Sequence, residues 1–466
     1  MVLLGLLVAW KYQHMLLLRC SWQSSPVKGM SKQRVLLNRR IIVGICGGIA
    51  SYKAVDLVSK LQQAGALVDV ILTEHAEDFV RPLTFSTMSH RPVYSDLWEA
   101  SGRAAETHIA LGEEAELLAI VPATANTIAR LAHGIADNML TAVALATKAP
   151  LLLAPAMYRD MYTHPATQAN LALLQQRGAW IVEPEIGRLA SGAIGPGRLP
   201  DTEVLLGAIS KVLGRHGDLA GRKVIVTAGG TQEPIDPVRY IGNRSSGKMG
   251  FALASEARDR GADVILISGP VALEAPYGVE LRMVETAIQM LNAVHSAITG
   301  ADVLVMSAAV ADFRPATPMA QKLKKDGGEA QEFDAQGGFS LHLVRNPDIL
   351  GELAETLDQV EGGQSGQSGQ ITDNGKSSKR RKRLVRVGFA AETNEIVTYA
   401  RTKLASKHLD LLVANDISRT DSGFGTETNK VFIFHATGEM EDLPVMPKSG
   451  VATAIWNRVV PLLSTM

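Results

Sequence analysis

Amide, hydroxyl and cationic side chains recur at close spacing in the second half of this chain. Asn243-Arg244-Ser245-Ser246-Gly247-Lys248-Met249-Gly250 places an amide, two hydroxyls and cations just before an apolar stretch with helical spacing, and Asp236-Pro237-Val238-Arg239-Tyr240 precedes it. Donors grouped at a helix N-terminus suit an anion, although a capped helix with a solvated loop has the same composition. Ser307-Ala308-Ala309-Val310-Ala311-Asp312 ends an apolar run with small residues and one acid, and Lys322-Leu323-Lys324-Lys325 follows. An acid that can help hold Mg²⁺ and a nearby lysine are the usual equipment for triphosphate chemistry. Asn346-Pro347-Asp348-Ile349 and Gly388-Phe389-Ala390-Ala391-Glu392-Thr393 end two more segments. Lys403 and Lys407, four apart, share one helix face, where a lysine pair is ordinarily solvated.

The first half offers turns rather than charges. Gly47-Gly48-Ile49-Ala50-Ser51-Tyr52-Lys53 joins an apolar run to a helical pattern, and its N–H groups with Ser51 could cradle a phosphate. Pro122-Ala123-Thr124-Ala125-Asn126-Thr127 and Pro155-Ala156-Met157 follow two further runs. Each of these turns, read alone, is also what a tight strand-to-helix connection requires.

The elements that must position these groups alternate. Apolar runs at 41–45, 67–72, 117–121, 150–154 and 180–182 predict strands, and 51–64 predicts a helix closed by Gly65. After a polar, Gly-containing stretch at 216–221 the pattern restarts. Strands are expected at 223–227, 264–268, 303–307, 384–387 and 409–414, with a helix at 250–260. Such alternation predicts α/β architecture, with parallel sheets covered on both faces. Thr227-Ala228-Gly229-Gly230-Thr231, after the first strand of the second series, lets backbone approach a ligand at the carboxyl end of the sheet. It is not a G-x-G-x-x-G dinucleotide fingerprint.

The expected organisation is an N-terminal extension at 1–37, a first domain at 38–215 and a second at 218–466. The second is interrupted by a mobile insertion near 362–383, whose Gly, Gln and Ser residues cannot bury a core and whose end, 379–383, is wholly basic. The apolar runs within residues 1–18 are too short to span a bilayer, so a membrane association is not expected. Lys plus Arg equals Asp plus Glu at 47 each, which gives no support for a nucleic-acid or membrane-surface partner. Cys20 and Cys46 are the sole cysteines, so no disulfide framework is available and a cytoplasmic, reducing compartment fits.

Taken in order, the motifs of residues 218–455 resemble the phosphopantothenate–cysteine ligase domain of the bacterial bifunctional coenzyme A biosynthesis proteins. The matches include Gly-Gly-Thr-Gln-Glu-Pro-Ile-Asp-Pro-Val-Arg-Tyr, Asn-Arg-Ser-Ser-Gly-Lys-Met-Gly, Ala-Ala-Val-Ala-Asp, Lys-Leu-Lys-Lys, Asn-Pro-Asp-Ile and Gly-Phe-Ala-Ala-Glu-Thr. The resemblance implies a Rossmann-like domain that activates 4'-phosphopantothenate with CTP and then joins it to cysteine. Asn243 is then expected to hold and polarise the acyl-cytidylate, and Lys322 to offset charge on the phosphates. Asp312, Phe389, Lys403 and Lys407 match nucleotide-binding positions. Met306, Ser307, Ala308, Asn346, Pro347, Asp348 and Ile349 are expected to line the same pocket, and Mg²⁺ is expected with the triphosphate, at Asp312.

Residues 38–200 resemble the phosphopantothenoylcysteine decarboxylase half of the same family, a flavodoxin-like flavoprotein. Gly-Gly-Ile-Ala-Ser-Tyr-Lys, Arg81-Pro82-Leu83-Thr84-Phe85, Thr107-His108-Ile109-Ala110-Leu111, Pro-Ala-Thr-Ala-Asn and Ile194-Gly195-Pro196-Gly197-Arg198 carry it. The implied cofactor is FMN, held by Gly48, Ala50, Ser51, Thr73, Thr124, Asn126 and Met157. His108 stands at the family's catalytic histidine. Two other positions depart: the family's Pro-x-Met-Asn-x-x-Met reads Pro155-Ala156-Met157-Tyr158-Arg159-Asp160-Met161, and its flap cysteine falls at Ser191. A hydroxyl is far less acidic than a thiol, so an impaired decarboxylase is expected. The family also implies a homo-oligomer, with trimeric flavin domains and dimeric ligase domains that together allow a dodecamer. Three other readings stay open: a fully bifunctional ligase and decarboxylase, a flavin-binding regulatory scaffold that turns nothing over, and an NAD(P) dehydrogenase. The intact Asn243 and Lys322 argue against the scaffold, and the missing fingerprint against the dehydrogenase.

Overall fold

Short, uninterrupted apolar runs become the buried strands of two separate sheets. The computed structural model describes residues 35–98, 107–324, 340–353, 383–392, 396–416, 422–423 and 425–464, which belong to a single unit starting at Lys32. Residues 1–34, most of the expected extension, and 362–382 of the expected insertion lie outside the described residues. Leu36, placed with the extension by sequence, is fully buried in the first core.

The first sheet holds β1 (Arg40–Ile45), β2 (Leu67–Leu72), β3 (Val93–Tyr94), β4 (Leu117–Ala123), β5 (Leu151–Pro155) and β6 (Trp180–Ile181) in the order β3-β2-β1-β4-β5-β6, all parallel. Helix α1 (Ser51–Gln63) covers one face through Ala54, Leu57, Val58 and Leu61, a spacing that puts all four on one side of the helix. Helices α2 (Thr107–Glu114) and α3 (Ala125–His133) lie on the other face with Leu111, Ile128 and Ala132. An antiparallel hairpin, β7 (Glu185–Arg188) and β8 (Ile194–Arg198), follows the sheet, and α4 (Thr202–Gly214) returns to the first core.

The second sheet has eight strands: β9 (Lys223–Ala228), β10 (Asp263–Ser268), β11 (Glu280–Met283), β12 (Val303–Met306), β13 (Val385–Glu392), β14 (Leu411–Asp416), β15 (Val431–His435) and β16 (Met440–Asp442). Their order is β11-β10-β9-β12-β13-β14-β15-β16. The first six run parallel, and β15 and β16 add an antiparallel edge that the sequence pattern does not announce. Helix α5 (Lys248–Asp259) packs with α7 (Lys448–Ser464) on one face, where Trp456 is fully buried and its indole N–H donates to Leu253 O at 3.0 Å. Helix α6 (Ile396–Ser406) lies toward the edge, with Ala400 in a small core beside Leu409 and Leu412.

Candidate functional site

In an open parallel sheet, ligands bind beyond the carboxyl ends of the strands, at the point where the strand order reverses. In the second sheet that point lies between β9 and β12. Gly229-Gly230-Thr231 leaves β9, and residues 307–312 leave β12. The two connections are stitched together: Ala308 N donates to Thr227 Oγ1 at 3.1 Å, Ala311 N to Thr231 Oγ1 at 2.9 Å, and Ser307 Oγ to Thr227 O at 2.5 Å. Gly250 permits the close approach of α5, because a Cβ there would sit 2.5 Å from Ala228 Cβ and 2.8 Å from Ser307 Oγ.

A cavity of about 950 Å³ opens at this crevice. Asn243, Met306, Ser307, Ala308, Asp312, Asn346, Pro347, Asp348, Ile349, Phe389, Lys403 and Lys407 all line it, so the sequence-predicted residues converge. Asn243 is fixed by two hydrogen bonds from its Nδ2, to Ala309 O at 3.1 Å and Val310 O at 3.2 Å. Asn346 donates through Nδ2 to Ala311 O at 2.8 Å and accepts from Arg314 Nη1 at 3.1 Å. Lys403 Nζ donates to Phe389 O at 3.0 Å, and Lys407 is ion-paired with Asp348. Burial acts to raise the Asp348 carboxyl, but Lys407, the Gly351 N–H and Lys403 together hold it below the usual carboxylate range.

Lys322 is the exception, since it does not line the cavity. Its neighbour Leu323 is the buried residue of that segment. Leu323 N donates to Asp236 Oδ2 at 3.1 Å, and Arg239 Nη2 donates to Leu323 O at 3.3 Å. Pinning Leu323 in this way leaves Lys322 exposed to solvent. Sequence reasoning missed other wall residues: Asn415, Gly423, Asn429 and Lys448 also line the cavity. None of them carries a local motif. Lys248, Arg345, Lys403, Lys407 and Lys448 outnumber the carboxylates Asp312 and Asp348 in the wall, so the cavity favours a polyanion.

In the first sheet, the turns after β1, β2, β4 and β5 gather Gly48, Ala50, Ser51, Thr73, Thr124, Asn126 and Met157 at one edge. Ser51 is fully buried, and its hydroxyl lies 2.9 Å from Cys46 O and 2.6 Å from Gly48 O. Thr124 caps α3 by accepting from Thr127 N at 3.4 Å. The first turn of α1 has no acidic residue and no side-chain cap, and two of its N–H groups, Ser51 N and Lys53 N, donate to Gly48 O and Ala50 O at 3.0 Å each. Gly197 brings β8 against the 155–161 segment: Met157 N donates to Gly197 O at 3.0 Å, and a Cβ at Gly197 would lie 2.1 Å from Met157 O. Ser191 is exposed at the hairpin tip, and Tyr158 is also exposed. His108 is half-buried on α2, which packs against the helix Met139–Ala146. Among the described residues no hydrogen bond joins His108, Tyr158 and Ser191 to one another.

Fold and site thus define a tandem α/β protein with a flavoprotein-type edge in its first sheet and a large cationic cavity at the switch point of its second. Comparison with known proteins agrees. Residues 30–214 match the Flavoprotein family, and residues 219–384 and 367–462 match the DNA/pantothenate metabolism flavoprotein C-terminal domain. The coenzyme A biosynthesis bifunctional protein CoaBC of Bacillus subtilis (strain 168) is 43% identical over 431 residues, 92% of this chain and 98% of that protein. The CoaBC protein of Mycobacterium bovis (strain ATCC BAA-935 / AF2122/97) is 42% identical over 435 residues, 91% and 97% of the two chains. A crystal structure of the C-terminal domain of a CoaBC protein superposes with a TM-score of 0.40 and 34% identity, covering 54% of this chain and all of that one. The chain belongs to the CoaBC family of bifunctional coenzyme A biosynthesis proteins. Among its described residues no helix is long and apolar enough to cross a membrane.

Proposed function

We propose that the second half ligates 4'-phosphopantothenate to cysteine with CTP, in the service of coenzyme A biosynthesis, and that the first half is an FMN-binding decarboxylase relative with impaired turnover. The observation that carries the ligase reading is the switch-point cavity, in which the Asn243 amide, the Asp312 carboxylate and five cations converge. A carboxylate is a poor acyl donor. Its oxygen attacks the α-phosphorus of CTP and pyrophosphate leaves. The cysteine amine then attacks the acyl carbon, loses a proton and expels CMP. Both Nδ2 hydrogens of Asn243 are taken by Ala309 O and Val310 O, so Oδ1 is the atom free for the ligand. That orientation suits holding the amine nucleophile, whereas polarising the acyl carbonyl needs the amide reversed. Lys403 and Lys407 flank Phe389 and Asp348 and serve the nucleotide. Lys322 is assigned to the phosphates by its place in the Lys-Leu-Lys-Lys motif. Mg²⁺ fits beside Asp312, an exposed carboxylate that would share the ion with phosphate oxygens and so neutralise charge.

The edge of the first sheet fits FMN through neutral donors, the positive end of α1, with no acid in its first turn, suiting its phosphate. FMN, when bound, supplies oxidation of the substrate thiol and the return reduction. This chain's own residues must hold the substrate carboxylate and deliver a proton. Tyr158 replaces a compact amide with a bulky phenol, and Ser191 replaces a thiol with a hydroxyl that gives up its proton far less readily. A second reading, a fully bifunctional enzyme, is favoured by the near-complete coverage of relatives named bifunctional. A product assay separates them. Given 4'-phosphopantothenate, cysteine, CTP, Mg²⁺ and FMN, the protein is expected to accumulate 4'-phosphopantothenoylcysteine with CMP and pyrophosphate. Appearance of 4'-phosphopantetheine as the main product would overturn the impairment, and absence of both would overturn the ligase.

A further inference from the structure

Part of the cavity wall comes from residues with no motif to mark them, Asn415 on β14, Gly423, Asn429 and Lys448, the first residue of α7, and Lys248 at the start of α5 stands beside them. Lys448 is only 7% exposed. Its ammonium donates to Gly423 O at 3.1 Å and to Thr426 O at 2.5 Å, and among the described residues it meets no carboxylate. The same loop is tied from the other side. Asn429 Oδ1 accepts from Ser422 Oγ at 3.1 Å and from Gly423 N at 3.3 Å, while its Nδ2 donates to Asn415 Oδ1 at 3.2 Å. Lys248 donates to Gly425 O at 3.1 Å and pairs with Glu427 at 2.5 Å.

We infer that Lys448 is a positioning residue for the anionic part of the nucleotide, tying this loop into the cavity wall and keeping a buried positive charge behind it. The inference rests on the nucleotide reading given above. Two carbonyls could be satisfied by a neutral amide, without the cost of burying an ammonium. The charge itself therefore needs a reason. An ammonium has three N–H donors and two are used, which leaves one for a ligand. Burial first, and then neighbouring Lys248, push the Lys448 ammonium below its ordinary pKa, with Glu427 pulling the other way. An anion in the cavity offsets both effects. By linkage, anion binding favours the protonated lysine, so affinity must fall as pH rises and Lys448 loses its proton. The charged groups that bear on it are Lys248 from α5 and Glu427 from the loop. Arg345, Lys403, Lys407, Asp312 and Asp348 complete the cavity.

The test is calorimetric titration of the full chain with magnesium tripolyphosphate, a probe that needs no base recognition and no ligation chemistry, alongside steady-state kinetics with CTP. Lys448→Gln is expected to weaken tripolyphosphate binding about tenfold, and to raise KM for CTP by more than it lowers kcat. Lys448→Arg, which keeps the charge, is expected to recover most of that loss. Wild-type affinity is expected to fall as pH rises toward the ordinary lysine pKa of about 10.4, and the Gln variant's to fall less. The inference is overturned if the Gln variant binds tripolyphosphate within about twofold of wild type, or if it melts earlier with KM unmoved. It is also overturned if the wild type binds neither tripolyphosphate nor CTP. Should the Gln variant not fold, the Arg variant and the wild-type pH dependence decide. A wild type that binds both probes in this pH-dependent, Lys448-dependent way but forms no cysteine adduct sinks the ligation reading and leaves this one standing.

Discussion

Ser191 sits exposed at the tip of the β7–β8 hairpin, and Tyr158 stands exposed where the chain leaves β5. Both positions accept substitution without disturbing a core. The double variant Tyr158→Asn with Ser191→Cys is therefore expected to fold as wild type does. Loaded with FMN, it is expected to form 4'-phosphopantetheine about a hundredfold faster than wild type, the lower end of what a positioned acid contributes. An unchanged rate would mean that these two residues do not limit the reaction. At this scale the sequence was informative where the cavity wall is built from contiguous motifs, as at Asn243, Ser307–Asp312 and Asn346–Ile349. It was uninformative for Lys448 and Asn429, lone polar residues whose place in the wall depends on where β15 and α7 return. Lys322 shows the converse. Its neighbourhood is basic enough to suggest a phosphate site, yet the anchoring of Leu323 by Asp236 and Arg239 directs the lysine outward.

The strands expected near 41–45, 67–72, 223–227, 264–268 and 303–307 are present within a residue or two, because continuous apolar runs leave little choice. What spacing could not reveal were the two-residue strand Val93–Tyr94 and the antiparallel pair β15 and β16. Their identity is settled by edge pairing rather than by local pattern. That edge is fastened to α7 by one carboxylate. Glu441 accepts from Arg458 Nε at 3.0 Å and Nη2 at 2.5 Å, and lies 2.8 Å from His435 Nε2. The Arg458 bonds, against opposing burial and with help from His435, pull its pKa from 4.5 down to about 2. A depressed carboxyl contributes stability above its unfolded pKa and loses it as pH falls through the folded one. Glu441→Gln is therefore expected to melt below wild type near neutrality, with the gap closing between pH 4.5 and about 2. A gap that stays constant to acid pH would show that the pair contributes packing, not charge.

Where the two sheets meet, the chain leaves almost no slack. Gly214 ends α4 so close to α5 that a Cβ would lie 1.8 Å from Asp259 O, and a Cβ at Gly217 would lie 2.5 Å from Arg260 O. Arg260 pairs with Asp218, and Arg258 with Asp259, both members of the latter pair being buried. Burial drives the Asp259 carboxyl up to about 6 despite Arg258. Gly214→Val must push this junction apart and is expected to lower stability by about 1–3 kcal/mol, read as an earlier calorimetric transition. An unaltered melt would mean that the two halves do not depend on this contact. The position of Lys448 has a separate consequence. The wall of the second cavity is finished by the first residue of the last helix, whereas the edge of the first sheet is complete once residue 198 has been laid down. Because domains fold as units from the N-terminus during synthesis, a growing chain can assemble its flavoprotein half while the ribosome is still making the other. It gains its second cavity only when its closing residues are in place, so early termination would silence the second site alone.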